Sequence, residues 1–195
     1  MSRITVSNSI TLDGVMQAPA RPDEDTRGDF PFGGWALPYN DPVMGETMAR
    51  RASGGGSLLL GRRTYEDLAS VWPHMPAENP FTRLINARRK WVASRTLRAP
   101  LAWNNSVLLE GDVVEAVASL KAQPDNDLAI LGSGELVQSL LAAGLIDEFV
   151  LLIHPLVLGR GIRLFPDGGP PANLRLVDSL PTTTGVVIAT YEVAR

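Results

Sequence analysis

The sequence predicts an α/β fold built on a mostly parallel sheet with an antiparallel edge on its C-terminal side. Three features predict it. Short apolar runs such as Ser57–Leu60 and Leu128–Leu131 have the length and the two-sided apolarity of strands buried inside a parallel sheet. Segments of amphipathic period follow such runs directly, so strands and helices alternate along most of the chain. The last two strand-like segments, near Leu174–Val177 and Val186–Val193, have no helix between them, as suits an antiparallel pair.

In chain order, Arg3–Ser9 reads as the first strand, with Ile4 and Val6 alternating with polar neighbours. Thr11–Asn40 carries Pro19, Pro22, Pro31 and Pro38 among mixed charges and aromatics, and is expected to be a long loop of the kind that carries function. Asp41 is placed to cap a helix that has Pro42 at its first position, runs through Met48 to about Ala52 and is broken by "SGGG". Ser57–Leu60 is a buried strand that passes at once into a helix over Arg62–Val71. Phe81–Arg88 is a short helix, and "KWVAS", residues 90–94, a strand. Val107–Glu110 is a further strand, Val113–Gln123 an amphipathic helix, and Leu128–Leu131 a strand ending at "GSG". Glu135–Ala143 places Leu136, Leu140 and Leu141 on one helical face and is ended by Gly144. Glu148–Ile153 is strongly strand-like. No internal repeat or linker interrupts the pattern, and 195 residues suit a single domain spanning 1–195.

A formal charge of −3 argues against a general binder of nucleic acid or anionic membranes, so any basic patch must be local. The chain has no cysteine, which excludes disulfides, thiolate metal sites and a cysteine nucleophile, and suits a reducing cytoplasm. "MSRITVSNSI" lacks the apolar core of a signal peptide, and no apolar run approaches the roughly 20 residues that span a bilayer. The expectation is a cytoplasmic protein with no metal, no membrane and no nucleic-acid partner.

The strand-to-helix junctions carry the chemistry. A helix N-terminus presents unpaired N–H groups and a partial positive charge, and glycine lets an anion approach closely. "LLLGRRTY" has Gly61, Arg62, Arg63 and Thr64 at such a junction; "ILGSGELV" has Gly132, Ser133 and Gly134 at another. Either alone reads equally well as a tight turn; the two together suggest a dinucleotide. "GSGELVQ" has no third glycine and comes late in the chain, which disfavours a Rossmann domain. In "ASRTL", Ser94 and Arg95 follow a strand and could bind a terminal phosphate, or form a capped turn with an exposed arginine.

"NSITLDGVMQ", "LLLGRRTYE", "ASRTL", "ILGSGELVQSLL" and "DEFVLLIHPLVLGRGIRLF" together resemble the dihydrofolate reductase-like superfamily. The branch they resemble is related to the reductase domain of bacterial riboflavin biosynthesis. The resemblance covers nearly the whole chain. It implies a three-layer fold with helices on both faces of the sheet, and NADPH as cofactor. It implies that Gly61, Arg62, Arg63 and Thr64 approach the cofactor phosphates and that Ser94 and Arg95 take the adenosine 2′-phosphate. Gly132, Ser133, Gly134, Glu135 and Leu136 would wrap the pyrophosphate and nicotinamide side, with Ser9, Val15 and Met16 flanking the nicotinamide. The cluster of Arg62, Arg63 and Arg95 fits NADPH better than NADH.

Folate reductases place a buried carboxylate on the helix after the first long loop. No single acid aligns with it here; Asp41 and Glu46 are the catalytic candidates, with Asp41 reading also as a helix cap and Glu46 as a solvated helical residue. His154 reads as a hydrogen-bonded strand terminus. The leading expectation is an NADPH-dependent reductase that transfers hydride to an imine-like or carbonyl carbon of a small heterocyclic or sugar-linked substrate. The alternative is a nucleotide-binding regulatory or scaffold protein that has lost turnover. A hydrolase has little support, because the serines near glycine form no GxSxG elbow and only His74 and His154 could act as bases. The aliphatic stretch "EFVLLIHPLVLG" reads either as a pairing edge, implying a homodimer, or as a fully buried central strand.

Overall fold

The computed structural model describes residues 2–194. Strands β1 (Ile4–Thr11), β2 (Ser57–Gly61), β3 (Lys90–Ala93), β4 (Ser106–Leu108), β5 (Leu128–Leu131), β6 (Glu148–His154), β7 (Leu174–Pro181) and β8 (Val187–Val193) form one sheet in the order β4-β3-β2-β5-β1-β6-β8-β7. Pairings from β4 through β6 are parallel, whereas β8 runs antiparallel to both β6 and β7. Helices α1 (Pro42–Ser53), α2 (Arg62–Val71), α3 (Pro80–Ala87), α4 (Val113–Ala122) and α5 (Gly134–Ala142) cover it. Among the described residues no helix is long and apolar enough to cross a membrane.

Period-two alternation along the strands sorts the helices into two layers. Ile4, Val6, Leu59, Leu128, Ile130 and Phe149 meet Val117 and Leu120 of α4 and Leu136, Val137 and Leu140 of α5 on one face. On the other, Leu58, Leu60 and Val92 meet Tyr65 of α2 and Ile85 of α3, while Val150, Leu152 and Ile188 meet Met44 and Met48 of α1. The long loop packs a small core of its own, with Val15, Ala18, Phe30 and Trp35 all buried.

Element boundaries expected from sequence hold to within one or two residues, with one exception. β7 runs four residues past Val177, to Pro181; as the edge strand it is exposed along most of its length, and a register shift between Leu176 and Asp178 interrupts its pairing, so no apolar alternation marks its second half. β6, the aliphatic stretch read either as a pairing edge or as a buried strand, lies inside the sheet between β1 and β8. The exposed edge strand is β7.

Candidate functional site

β2 and β5 are neighbours, and the chain leaves them for opposite faces of the sheet: α2 lies on the α3 side and α5 on the α4 side. A crevice opens at such a switch point, beyond the C-terminal ends of parallel strands. The cavity found there has a volume of about 1240 Å³, above the ~300–1,000 Å³ usual for one small ligand, so it has room for a dinucleotide and a second molecule. Every expected cofactor residue except Val15 lines it: Ser9, Met16, Gly61 to Thr64, Ser94, Arg95 and Gly132 to Leu136. Val15 instead is fully buried in the loop core and bridges to Arg163.

The two glycine junctions are clasped together. Ser133 Oγ accepts from the Gly61 N–H at 2.9 Å, and the Ser133 N–H donates to Thr64 Oγ1 at 3.2 Å. The Thr64 hydroxyl and the Leu131 carbonyl lie 3.0 and 3.1 Å from Ser133 Oγ, within reach of its proton. Glycine is required at this crossing: a Cβ on Gly132 would sit 3.1 Å from Thr64 Oγ1, and its φ is 56°. Ser133 is also left-handed, with φ 58° and ψ 47°, a conformation the clasp holds. Gly61, Thr64 and Ser133, residues expected near the cofactor phosphates, thus commit one N–H and two side-chain oxygens to the clasp.

What the clasp leaves free are the helix starts. Asp41, Asn79 and Asp112 cap α1, α3 and α4 by accepting first-turn N–H bonds. α2 and α5 have no side-chain cap, since Gly61 has no side chain and Ser133 Oγ is turned to Gly61. Their first-turn N–H groups, at Arg62, Arg63 and Thr64 and at Gly134, Glu135 and Leu136, belong to residues lining the cavity. Unsatisfied N–H groups and the positive end of the helix dipole make such termini fit for an anion.

Four arginines line the cavity, and they differ in their partners. Arg62 pairs with Glu66 at 2.8 Å and Arg63 with Glu135 at 3.4 Å, both exposed pairs worth little in water. Arg27 is held by Asp25 at 2.5 Å. Arg95, exposed beyond β3, has no hydrogen bond or ion pair among the described residues. Ser94 Oγ accepts from the N–H groups of Thr96 and Leu97, which forms the capped turn, and its own proton remains to donate.

The two acids singled out in sequence lie elsewhere. Asp41 accepts from the Met44 N–H at 2.8 Å and from the N–H and hydroxyl of Thr183; these bonds hold its carboxyl below the ordinary range and make it a cap that ties α1 to the β7–β8 turn. Glu46 is exposed on α1, and neither residue lines the cavity. His154 is buried, with Nδ1 2.9 Å from the Leu152 carbonyl and its ring edge-on to Trp35 and Tyr39; burial lowers its pKa and favours the neutral ring.

Several polar residues in the cavity wall escaped the sequence reading, Asn8 and Glu24 among them. Asn8 is 5% exposed, and its Nδ2 donates to the Gly132 carbonyl at 3.4 Å. A signal was present: Asn8 occupies a core-facing position in the alternation Ile4, Val6, Asn8, Ile10. Glu24, in the long loop, accepts from the Ala20 and Arg21 N–H groups through Oε2, at 2.7 and 3.2 Å. No periodicity marks it.

Comparison with known proteins agrees with this architecture. The chain is 30% identical over 192 residues to the uncharacterized protein YyaP of Bacillus subtilis, covering 97% of this chain and 94% of that protein. A crystal structure of a candidate riboflavin biosynthesis protein from Shewanella sp. PV-4 superposes with a TM-score of 0.76 at 24% identity, covering 99% of both chains. A pyrimidine reductase-like protein from Corynebacterium diphtheriae gives 0.68 at 13% identity, covering all of this chain and 92% of that one. The RibD C-terminal domain model matches residues 2–188, and the chain belongs to that family.

Proposed function

We propose that the protein is an NADPH-dependent reductase that delivers hydride to an imine-like or carbonyl carbon of a small substrate held in the same cleft. The observation that carries this reading is the pairing of uncapped helix starts: of the five α-helices among the described residues, the two that lack a side-chain cap open together onto the cavity at the β2–β5 switch point. They suit a diphosphate, which offers oxygens to both. Arg95, free of any carboxylate, suits the additional 2′-phosphate that distinguishes NADPH from NADH.

NADPH, when bound, supplies the hydride. The chain's residues bind and orient. The N–H groups of Gly134, Glu135 and Leu136 would hold the diphosphate, Ser94 and Arg95 the 2′-phosphate, and Ser9 and Met16 would flank the nicotinamide. Residues of the loop 19–27 line the cavity, tied to α2 by Arg21–Asp67 and to α5 by Arg27–Glu135, and the loop is anchored by buried Gln17. Its Nε2 donates to the carbonyls of Asp25 and Arg27, and its Oε1 accepts from the Ile162 N–H. A wall fixed in this way limits water around the reacting carbon and keeps both ligands in register. Loss of NADPH absorbance on adding small nitrogen heterocycles and carbonyl compounds tests the reading. Substrate-dependent oxidation supports it; tight NADPH binding with no turnover across such a panel would favour a nucleotide-binding regulatory protein instead.

A further inference from the structure

A second cavity lies at the other end of the strands from the cleft. α1 and α3 pack against one another and end just before β2 and β3 begin, whereas the cleft opens where those strands end. The space between the two helix ends has a volume of about 490 Å³, within the ~300–1,000 Å³ usual for one small ligand, and shares no lining residue with the cleft. Among the described residues no acid lines it; its charged residues are Arg83 and Arg88.

Helix C-termini attract cations, which accounts for part of this charge. Arg88 Nη2 donates to the Ala52 and Gly55 carbonyls, and Arg83 Nη1 to those of Ala77 and Glu78 at 2.8 and 3.2 Å. Each helix end supplies only about half a negative charge, so two guanidiniums leave the cavity net positive. Neither arginine has an ion pair among the described residues, and Nε and Nη1 of Arg88 and Nε and Nη2 of Arg83 make no hydrogen bond. Burial lowers the Arg88 pKa, and no carboxylate acts against it. A half-buried cation without a counter-ion is stabilised by an anion from outside the chain.

The turn after α1 adds donors. Gly54 is right-handed, with φ −64° and ψ −2°, and Gly55 and Gly56 follow at φ 86° and 81°, the succession by which consecutive N–H groups form an anion-binding concavity. The Gly55 and Gly56 N–H groups donate no hydrogen bond among the described residues, and both residues line the cavity. Ala52, Leu84 and Ala87 give the space between the charges an apolar wall.

We propose that this cavity is a second ligand site, separate from the cleft, that takes a small phosphomonoester, with the phosphate between Arg83 and Arg88 and the organic part against Ala52, Leu84 and Ala87. Guanidinium forks match phosphate oxygens two at a time, and two unpaired cations favour a dianion over a single carboxylate.

The test is calorimetric titration of the full-length protein, at fixed ionic strength, with phenyl phosphate, inorganic phosphate and benzoate. Arg83→Ala removes one cation, Ala87→Glu sets a carboxylate in the cavity, and Arg95→Ala controls for phosphate bound in the cleft. Arg83 and Ala87 are both exposed, so melting temperatures within about 2–4 °C of the wild type should show that the variants are folded. If Arg83→Ala melts lower than that, Ala87→Glu carries the test. The wild type should bind phenyl phosphate about tenfold or more tightly than benzoate, and more tightly than inorganic phosphate. Arg83→Ala and Ala87→Glu should each weaken phenyl phosphate about tenfold, and Arg95→Ala should change it by less than about twofold. No heat from the wild type, or an affinity unchanged by the folded cavity variants, overturns the proposal, as does binding lost in Arg95→Ala but kept in Arg83→Ala. Benzoate or inorganic phosphate binding as tightly as phenyl phosphate overturns the ligand class.

Discussion

Arg95→Ala should remove most of the preference for NADPH over NADH. Of the four arginines in the cleft, Arg27, Arg62 and Arg63 each face a carboxylate, at 2.5, 2.8 and 3.4 Å, and only Arg95 gives its whole charge to a ligand. A hydrogen bond to a charged group contributes about 1.5–3 kcal/mol. Because Arg95 is exposed, the lower end applies, and about 1.4 kcal/mol corresponds to roughly tenfold in affinity. NADH lacks the group that Arg95 would meet, so its affinity should change by less than about twofold. Arg62→Ala should cost less than Arg95→Ala, since Glu66 already offsets the Arg62 charge. Calorimetric titration of the wild type and both variants with each nucleotide gives all six constants. Equal weakening of NADPH and NADH by Arg95→Ala would make Arg95 a structural residue, and an unchanged NADPH affinity would remove it from the site.

Further outcomes follow from other parts of the fold. A Cβ at Gly134 would lie 2.9 Å from Met16 Sδ, and the position is not left-handed, so Gly134→Val should push Met16 into the cleft. The nucleotide-induced rise in melting temperature should vanish while the apo value falls by only about 2–4 °C; a large apo fall with the rise retained refutes this. β7 exposes Leu176 at 53% and Val177 at 48% on an unpaired sheet edge, so light scattering at micromolar concentration should give a homodimer mass, which Leu176→Lys should halve; a monomeric wild type contradicts it. Burial lowers the Lys90 pKa to about 8, against three carbonyl acceptors and the face of Trp103, which favour the ammonium. The unfolded chain therefore binds more protons above about pH 8, and the Lys90 contribution to stability should be flat below that pH and rise above it towards the ordinary lysine value. Melting temperatures of wild type and Lys90→Met at pH 7 and pH 10 check this: the wild type should gain relative to the variant, and a constant difference refutes it.

The strands, the helices and the cap of α1 were legible because each is written in local sequence: Leu58–Leu60 for burial, Asp41–Pro42 for a helix start, Gly144 for an end. The site was legible as three glycine or serine junctions, since β2, β3 and β5 end where the cleft opens. What could not be read was which polar atoms remain free after folding. Ser133 resembles a phosphate contact until Gly61, 72 residues away, takes its oxygen. Arg63 resembles a free cation until Glu135 is brought to 3.4 Å. Glu24 is invisible for the same reason, as only the anchoring of its loop by Gln17 brings it to the cleft. Asp41 was open to two readings, cap and acid, because the two look alike in sequence; the fold shows the cap, tied to Thr183 and outside the cavity lining.

If the protein binds NADPH as proposed, the uncapped starts of α2 and α5 receive its diphosphate. A crystal structure of the protein with NADPH tests it most directly. Diphosphate oxygens should lie within hydrogen-bonding distance, about 2.7–3.2 Å, of the N–H groups of Gly134, Glu135 or Leu136, with the 2′-phosphate at Arg95. A nucleotide bound with its diphosphate away from both helix starts, or a cavity that stays empty of nucleotide at saturating NADPH, would contradict it.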